Sequence, residues 1–442
     1  MNQSTTIPTR KNSVVNHKPV YIVSGVRTPF LKARGVPGPF SAGDLAVTAG
    51  RVLLAQQPFA PTNIDEVVMG CIIPGVDEAN IGRIIGLRLG CGQSTPGWTV
   101  QRNCASGMQA LDSAFKDITL GRANLVLAGG AEAMSHAPVL YNNKMVNWFA
   151  GLQKARSFGA KMGSLTKLSI PALFSPVVAL LHGLSDPLSG WSMGQTAEEL
   201  AYRFHISREE MDQFAYQSHQ KVLQAQKENH FEEVTATYAK DGKFFVKDDG
   251  VRADTTMESL AKLNPFFDRK FGRVTAGNSS QVTDGAAVLL LASEDAVEKY
   301  KLPVLAKIVD VQWAALDPDV MGLGPVMAAT PLLQRHGLGL NDIDYWEINE
   351  AFAAQVIACL RAWQCETFCK THFGLEKPFG KLDENKLNVD GGAVALGHPV
   401  GASGARIVMH LVNVLKRHRA KRGVATICIG GGQGGAMLVE TL

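Results

Sequence analysis

Gln101-Arg102-Asn103-Cys104-Ala105-Ser106-Gly107 lies between a strand-like apolar pair, Thr99-Val100, and residues at helical spacing, Met108, Ala110, Leu111 and Phe115. A thiol at the start of a helix meets free N–H groups and the positive end of the dipole, and both favour the thiolate. A free thiol is only a few per cent ionised at pH 7, and lowering its pKa by about 1.5 units ionises about half. Read alone, one cysteine among small residues is more often buried packing than a nucleophile. The residues that change this reading lie about 300 positions downstream.

Strands and helices alternate around this stretch. Val20–Val26, Asp65–Cys71 and Ala123–Ala128 read as strands. Ser41–Leu54, Ala79–Leu89 and the run from Cys104 to about Leu120 read as helices. This order predicts an α/β fold with a largely parallel sheet. The alternation stops near Ala137, and from there to Gly272 helices and irregular segments dominate, with a capping box at Ser207-Arg208-Glu209-Glu210. It resumes at Val288–Leu291 and continues through Val304–Val311, Tyr345–Asn349, a helix over Ala351–Ala362 and a last strand, Gly423–Ile429. Cys104-Ala105-Ser106-Gly107 is echoed by Gly401-Ala402-Ser403-Gly404, and Leu127-Ala128-Gly129-Gly130 by Cys428-Ile429-Gly430-Gly431, at offsets of 297 and 301 residues. Two landmarks at nearly one spacing imply a duplicated α/β unit. The expected organisation is a disordered tail (1–18), an N-terminal half (19–137 plus 273–294), an inserted, mainly helical loop domain (138–272) and a C-terminal half (295–442).

Composition sets bounds. The 442 residues allow two or three domains and a large core. At 46% hydrophobic and 19% charged the chain is an ordinary globular protein, and a net charge of +4 gives no argument for nucleic acid. Seven scattered cysteines suggest no disulfide framework and favour a reducing compartment. The first 18 residues hold Arg10, Lys11 and Lys18, with no acid before Asp44. They lack an amphipathic pattern, so a cytoplasmic, bacterial-type protein is expected rather than a mitochondrial one. No apolar run reaches the ~18 residues of a membrane span.

The insertion carries a basic-apolar stretch. Lys144, Lys154, Arg156, Lys161 and Lys167 stand against Phe149, Leu152, Phe158, Met162, Leu165 and Leu168, and an apolar segment continues to Leu181. The ordinary expectation is a solvated helix whose apolar side packs on its own domain. The alternatives for 144–181 are peripheral contact with a membrane, contact with a partner subunit, or attraction of a polyanionic substrate.

Three further stretches bear on chemistry. His398, between Gly397 and Pro399, reads as an exposed imidazole in a crevice, suited to taking a proton from a thiol near neutral pH. Cys428 ends a strand and opens onto Gly430-Gly431-Gly432, whose backbone N–H groups suit an oxyanion; the loop lacks the Lys and Ser/Thr of a phosphate-binding loop. Asn349-Glu350 ends another strand, and ligands gather at the carboxyl ends of strands in open α/β sheets. A Cys–His pair points to acyl chemistry, and a second cysteine adds an acid/base suited to making or breaking a carbon–carbon bond at a thioester. Cys365, Cys369 and His372 follow no common zinc spacing, so no metal site is expected. Cys71, Cys91 and Cys359 are read as packing.

Asn103-Cys104-Ala105-Ser106-Gly107, Asn349-Glu350-Ala351-Phe352, Gly397-His398-Pro399 and Cys428-Ile429-Gly430-Gly431-Gly432 together resemble the four signature blocks of the thiolases, in that family's order. Arg27-Thr28-Pro29-Phe30, Gly129–Ser135 and Thr275–Ser280 also look like family motifs. The resemblance implies a duplicated thiolase-like fold layered α-β-α-β-α. It implies Cys104 as nucleophile, His398 as its base and Cys428 as the acid/base at C2 of the acetyl-CoA unit. His398 and a water held by Asn349 would stabilise the enolate oxygen, and the N–H groups of Cys104 and Gly430 the acyl oxyanion. Ser280 matches a contact to the pantetheine arm of CoA, and Met193 a pocket methionine.

The activity implied is thiolytic cleavage of 3-ketoacyl-CoA by CoA through an acyl-cysteine, with no cofactor beyond the CoA thioester substrates. Condensation of two acetyl-CoA by an acetoacetyl-CoA thiolase is the alternative. A decarboxylating ketosynthase would lack Cys428, and a thiolase-like lipid-binding or scaffold subunit would lack Cys104 or His398. The insertions at 144–181 and 361–386 resemble the β-subunit of fatty-acid oxidation complexes, which often has His where Asn349 stands. They imply a possible hydratase/dehydrogenase partner subunit, and the family implies a homodimer or homotetramer.

Overall fold

The structure is a computed structural model that describes residues 18–442. The expected tail, but for Lys18, lies outside the described residues. The main strands are β1 (Val20–Arg27), β2 (Glu66–Gly70), β3 (Gly97–Val100), β4 (Leu125–Ala133), β5 (Thr283–Ser293), β6 (Ala306–Ala315), β7 (Tyr345–Ile348), β8 (Arg422–Ile429) and β9 (Gln433–Glu440). They run side by side in the order β7-β8-β9-β6-β1-β5-β4-β2-β3. The pair Leu31–Lys32 adds to β5. From the outer edge inward the first half reads β3-β2-β4-β5-β1, with β3, β2 and β4 parallel and β5 antiparallel to its neighbours. The second half reads β7-β8-β9-β6, with β7 parallel to β8 and β9 reversed. A single bridge from Leu387 to Trp346 stands where the first half has β3. The halves join where Val20, Tyr21 and Ile22 face Ile308, Lys307 and Ala306.

Core packing explains the layers. Every residue of β5 is buried, as expected for a strand covered on both faces. Its side chains alternate: Val288 and Leu290 join Leu45 and Leu53 of the outer helix Ala42–Ala55, while Leu289 and Leu291 turn to the centre. There they meet Met108 and Leu111 of helix Ser106–Thr119 and Ile407 and Leu411 of helix Val400–His418. Beyond the second half-sheet, Leu332, Trp346 and Trp363 form the other outer core. The result is helix, sheet, helix, sheet, helix, as the resemblance implied.

The two central helices cross at the repeated Ala-Ser-Gly. A Cβ on Gly107 would lie 2.8 Å from the Ala405 nitrogen, and one on Gly404 would lie 2.6 Å from the Met108 nitrogen. Gly107 and Gly404 are 297 residues apart, as are Met108 and Ala405. Each contact is therefore the other's image, which places the duplication's pseudo-two-fold axis at this crossing.

Three expectations are corrected. The sheet is not largely parallel: five of the eight neighbouring pairs along the strand order are antiparallel, because β5, β6 and β9 each run against both neighbours. Gly423–Ile429 is not the last strand: the chain turns at Gly430–Gly432 and returns as β9. The glycines opening β9 weaken the strand pattern in sequence, yet they let backbone approach closely, since a Cβ on Gly434 would strike the Gly324 carbonyl. The basic-apolar stretch is not one helix packed on its own domain. It breaks into Asn143–Lys154 and Phe158–Leu165, and of residues 138–185 only Met145 and Ala172 are buried. The rest of the insertion rests on the longer helices Met193–Arg203 and Arg208–Lys227. No described helix is long and apolar enough to cross a membrane.

Candidate active site

Cys104 rides on a strained turn between β3 and the central helix. Asn103 just before it has φ +41°, a left-handed conformation tolerated by asparagine. The Ser106 hydroxyl accepts from the Arg102 N–H at 2.8 Å and donates to the Asn103 carbonyl at 2.7 Å, closing the turn. Asn103 Nδ2 donates to the Gly430 carbonyl at 2.8 Å, tying this turn to the loop after Cys428. In that loop Gly431 and Gly432 have φ of +85° and +74°, which a side chain would resist. The N–H groups of Gly430 and of Cys104 itself point to the Cys104 sulfur and favour its thiolate. Burial outweighs them and pushes the thiol above its ordinary value, opposite to what a helix N-terminus alone predicts. Cys428 is driven well above its ordinary value by burial, then by the neighbouring Cys104.

His398 is buried, at 7% exposure, rather than standing open in a crevice. Its backbone N–H donates to the Gln281 carbonyl at 3.0 Å, and Nδ1 lies 2.6 Å from the Ser403 hydroxyl. That hydroxyl donates to the Pro399 carbonyl at 3.1 Å, so Nδ1 carries the proton given to Ser403 and Nε2 is left as the acceptor. Nε2 has no partner among the described residues. Burial, then the Arg406 charge, hold this imidazole down at about 3. At neutral pH the resting pair is a neutral base beside a neutral thiol.

Asn349 sits just past β7, fully buried. Arg406 pairs with Glu347 at 2.9 Å and reaches Asn349 Oδ1 at 3.5 Å, while Asn349 Nδ2 is buried with no partner among the described residues. Glu132 belongs to the Gly129–Ser135 motif. Its carboxylate accepts from the N–H groups of Ile72, Ile73 and Gly401 at 3.0, 2.9 and 3.1 Å, clasping the loop after β2 to the start of the helix that follows His398. Burial pushes it up to about 7. A lone acid in the fully buried run of β4 was the available signal.

Two cavities meet at Cys104. One of about 530 Å³ is lined by Cys104, His398 and Cys428, with Ser280, Met193 and Phe352. The other, about 240 Å³, shares Cys104, Met134 and Met193 with it and is lined further by Ile72, Ile73, Leu180, Leu188 and Gly430. The structure thus brings Cys104, His398, Cys428, Ser280, Met193 and Gly430 to one place, while Asn349 stands behind the wall. Cys365 is exposed and Cys369 buried, and no described cluster of His, Cys, Asp or Glu has the makings of a metal site.

Residues 20–295 match the model of the thiolase N-terminal domain, and residues 302–441 that of the thiolase C-terminal domain. The chain belongs to the thiolase family. It is 39% identical to human mitochondrial 3-ketoacyl-CoA thiolase over 96% of this chain and 98% of that protein. It is 36% identical to a probable acetyl-CoA acyltransferase of Staphylococcus epidermidis over 95% of this chain and 98% of that one. A crystal structure of the human mitochondrial enzyme with CoA superposes with a TM-score of 0.83 at 37% identity, covering 96% and 98% of the two chains. The Bacillus anthracis acetyl-CoA acetyltransferase does so at 0.81 and 35%, covering 96% and 99%. This thiolase is accordingly an acyltransferase whose substrates are CoA thioesters.

Proposed function

We propose that the chain cleaves 3-ketoacyl-CoA with CoA, giving acetyl-CoA and a shortened acyl-CoA, and that it accepts acyl chains longer than acetyl. The second cavity carries the chain-length reading. At about 240 Å³ and walled by Ile72, Ile73, Leu180 and Leu188, it is several times the volume an acetyl group fills, taking about 30 Å³ per water-sized unit. Cys104 lines this cavity, which supports the reading, because the acyl group of an acyl-enzyme would extend from that sulfur.

In this reading His398 Nε2 takes the Cys104 proton as the sulfur attacks C3 of the substrate. The N–H groups of Cys104 and Gly430 hold the resulting oxyanion. The C2–C3 bond breaks, its electron pair leaves as the enolate of acetyl-CoA, and Cys428 protonates C2. Nδ2 of Asn349, through a water, and His398 steady the enolate oxygen. The thiol of a free CoA then gives its proton to the Cys428 thiolate and attacks the thioester carbonyl; the Cys104 sulfur leaves and takes its proton back from His398, and the shortened acyl-CoA is released. Ser280 and Met193 line the approach. A homo-oligomer in the cytoplasm, with a possible hydratase/dehydrogenase partner supplying the 3-keto thioester, fits this role.

The test is kcat/KM for thiolysis across a chain-length series of 3-ketoacyl-CoA. Activity should persist or rise as the chain lengthens beyond acetoacetyl. Activity on acetoacetyl-CoA alone would sink the longer-chain reading and favour the acetoacetyl-CoA thiolase. Cys428→Ala should still form acyl-enzyme at Cys104 yet lose turnover.

A further inference from the structure

From Pro138 to Ser185 the chain carries Lys144, Lys154, Arg156, Lys161 and Lys167 and no carboxylate. The same segment holds its large apolar side chains outward: Phe158 is 81% exposed, Phe174 78% and Leu181 63%, with Met162, Leu165 and Ile170 near half. Phe158, Met162 and Leu165 recur at helical spacing along one face, with Lys161 beside them. The segment is nonetheless held in a defined arrangement. Trp148 Nε1 donates to the Ser164 carbonyl at 2.8 Å, and Asn142 Nδ2 donates to the carbonyls of Ala172 and Ser175 at 2.7 and 2.8 Å. An apolar surface of this extent marks an interaction site.

Charge selects the occupant. A second copy meeting this face through a two-fold axis would set five cations against five cations. An anionic bilayer satisfies both halves of the pattern, taking rings into the headgroup boundary and lysines onto phosphates. We propose that residues 138–185 dock this enzyme on a membrane surface bearing anionic lipid. The placement bears on the substrate too. Leu181 belongs to the exposed face and also lines the catalytic cavity, and Leu188, 86% exposed, lines the second cavity. Docking therefore sets the mouth of both cavities against the lipid, where long-chain thioesters partition.

The experiment is flotation of the full-length protein with phosphatidylcholine vesicles, with or without phosphatidylglycerol, at low and high salt. Two double variants accompany the wild type: Phe158→Ser with Phe174→Ser, and Arg156→Glu with Lys161→Glu. These four residues lie outside both cavities, so thiolysis of a short soluble substrate reports folding independently. Wild type should float with the anionic vesicles at least about tenfold better than with the neutral ones, and high salt should remove the difference. Each double variant should lose at least about tenfold of that recovery while keeping solution activity. No flotation, equal flotation with both vesicles, or unchanged flotation of the variants would overturn the proposal. So would a serine variant that floats like wild type but changes its mass in sedimentation, because a second copy would then cover the face.

Discussion

Ser403 fixes which nitrogen of His398 is left as a free acceptor, because its own proton is directed to the Pro399 carbonyl. Ser403→Ala should leave the fold and KM near wild type and lower kcat at least about tenfold, since general base catalysis is worth 10²–10⁴-fold and a freed ring samples the wrong tautomer. Steady-state kinetics on the purified variant checks this; an unchanged kcat would remove Ser403 from the positioning role. The resting thiol is pushed up and the imidazole down. Alkylation of Cys104 by iodoacetamide should therefore keep accelerating as pH rises past the ordinary thiol value. A plateau reached below neutrality would mean a preformed thiolate–imidazolium pair. Glu132 adds to this, because its charge raises the Cys104 thiol. Glu132→Gln should shift the alkylation profile to lower pH, an effect that loss of packing alone would not produce.

At the scale of elements, the crossing of the two central helices decides how close the helix after Cys104 comes to the helix after His398. Gly107→Ala and Gly404→Ala each put a methyl against backbone, which has little room to move. Each should cost about 3 kcal/mol in urea denaturation. In a helix that merely touched its neighbour the same change would stabilise by up to about 1 kcal/mol, so the sign of the effect tests the crossing. Much of this was legible: the repeated Ala-Ser-Gly, the apolar run of β5 and the glycine turn after Cys428 all signalled their elements. β9 was not, because glycines that allow close backbone packing also erase the side-chain pattern by which a strand is read. The burial of His398 was not legible either, since Gly and Pro flank exposed and buried loops alike and only the Gln281 and Ser403 contacts enclose it.

At the scale of the molecule, a buried ionic network joins the insertion to both halves. Arg27 of β1 pairs with Asp248 at 2.7 Å and Glu233 at 3.5 Å, Glu233 meets His410 of the central helix at 2.9 Å, and His410 meets Asp390 at 3.1 Å. Burial pulls the His410 pKa down, but Glu233 and Asp390 overcome it and raise it to about 9. Its contribution is thus present in full below its ordinary value of 6.5 and is lost as pH rises through about 9. On this shift, stability should fall by about 3 kcal/mol between pH 6.5 and 9.5. Urea midpoints at the two values check it, and His410→Gln should be less stable at the lower pH and nearly flat between them.

The sequence by itself carried the local features on which the chemical reading rests: a cysteine at the start of a helix, a histidine between glycine and proline, a second cysteine on a glycine turn, and a duplicated α/β frame to carry them. Those features are local, set by which residue types a turn or strand end tolerates, and they survive in a linear reading. Tertiary structure decided the rest. It buried the imidazole and raised the thiol, since desolvation depends on what packs around a group from distant segments. It hollowed a second cavity beyond Cys104 and turned the apolar side of the insertion outward, because what a helix buries is settled by the neighbours that close on it.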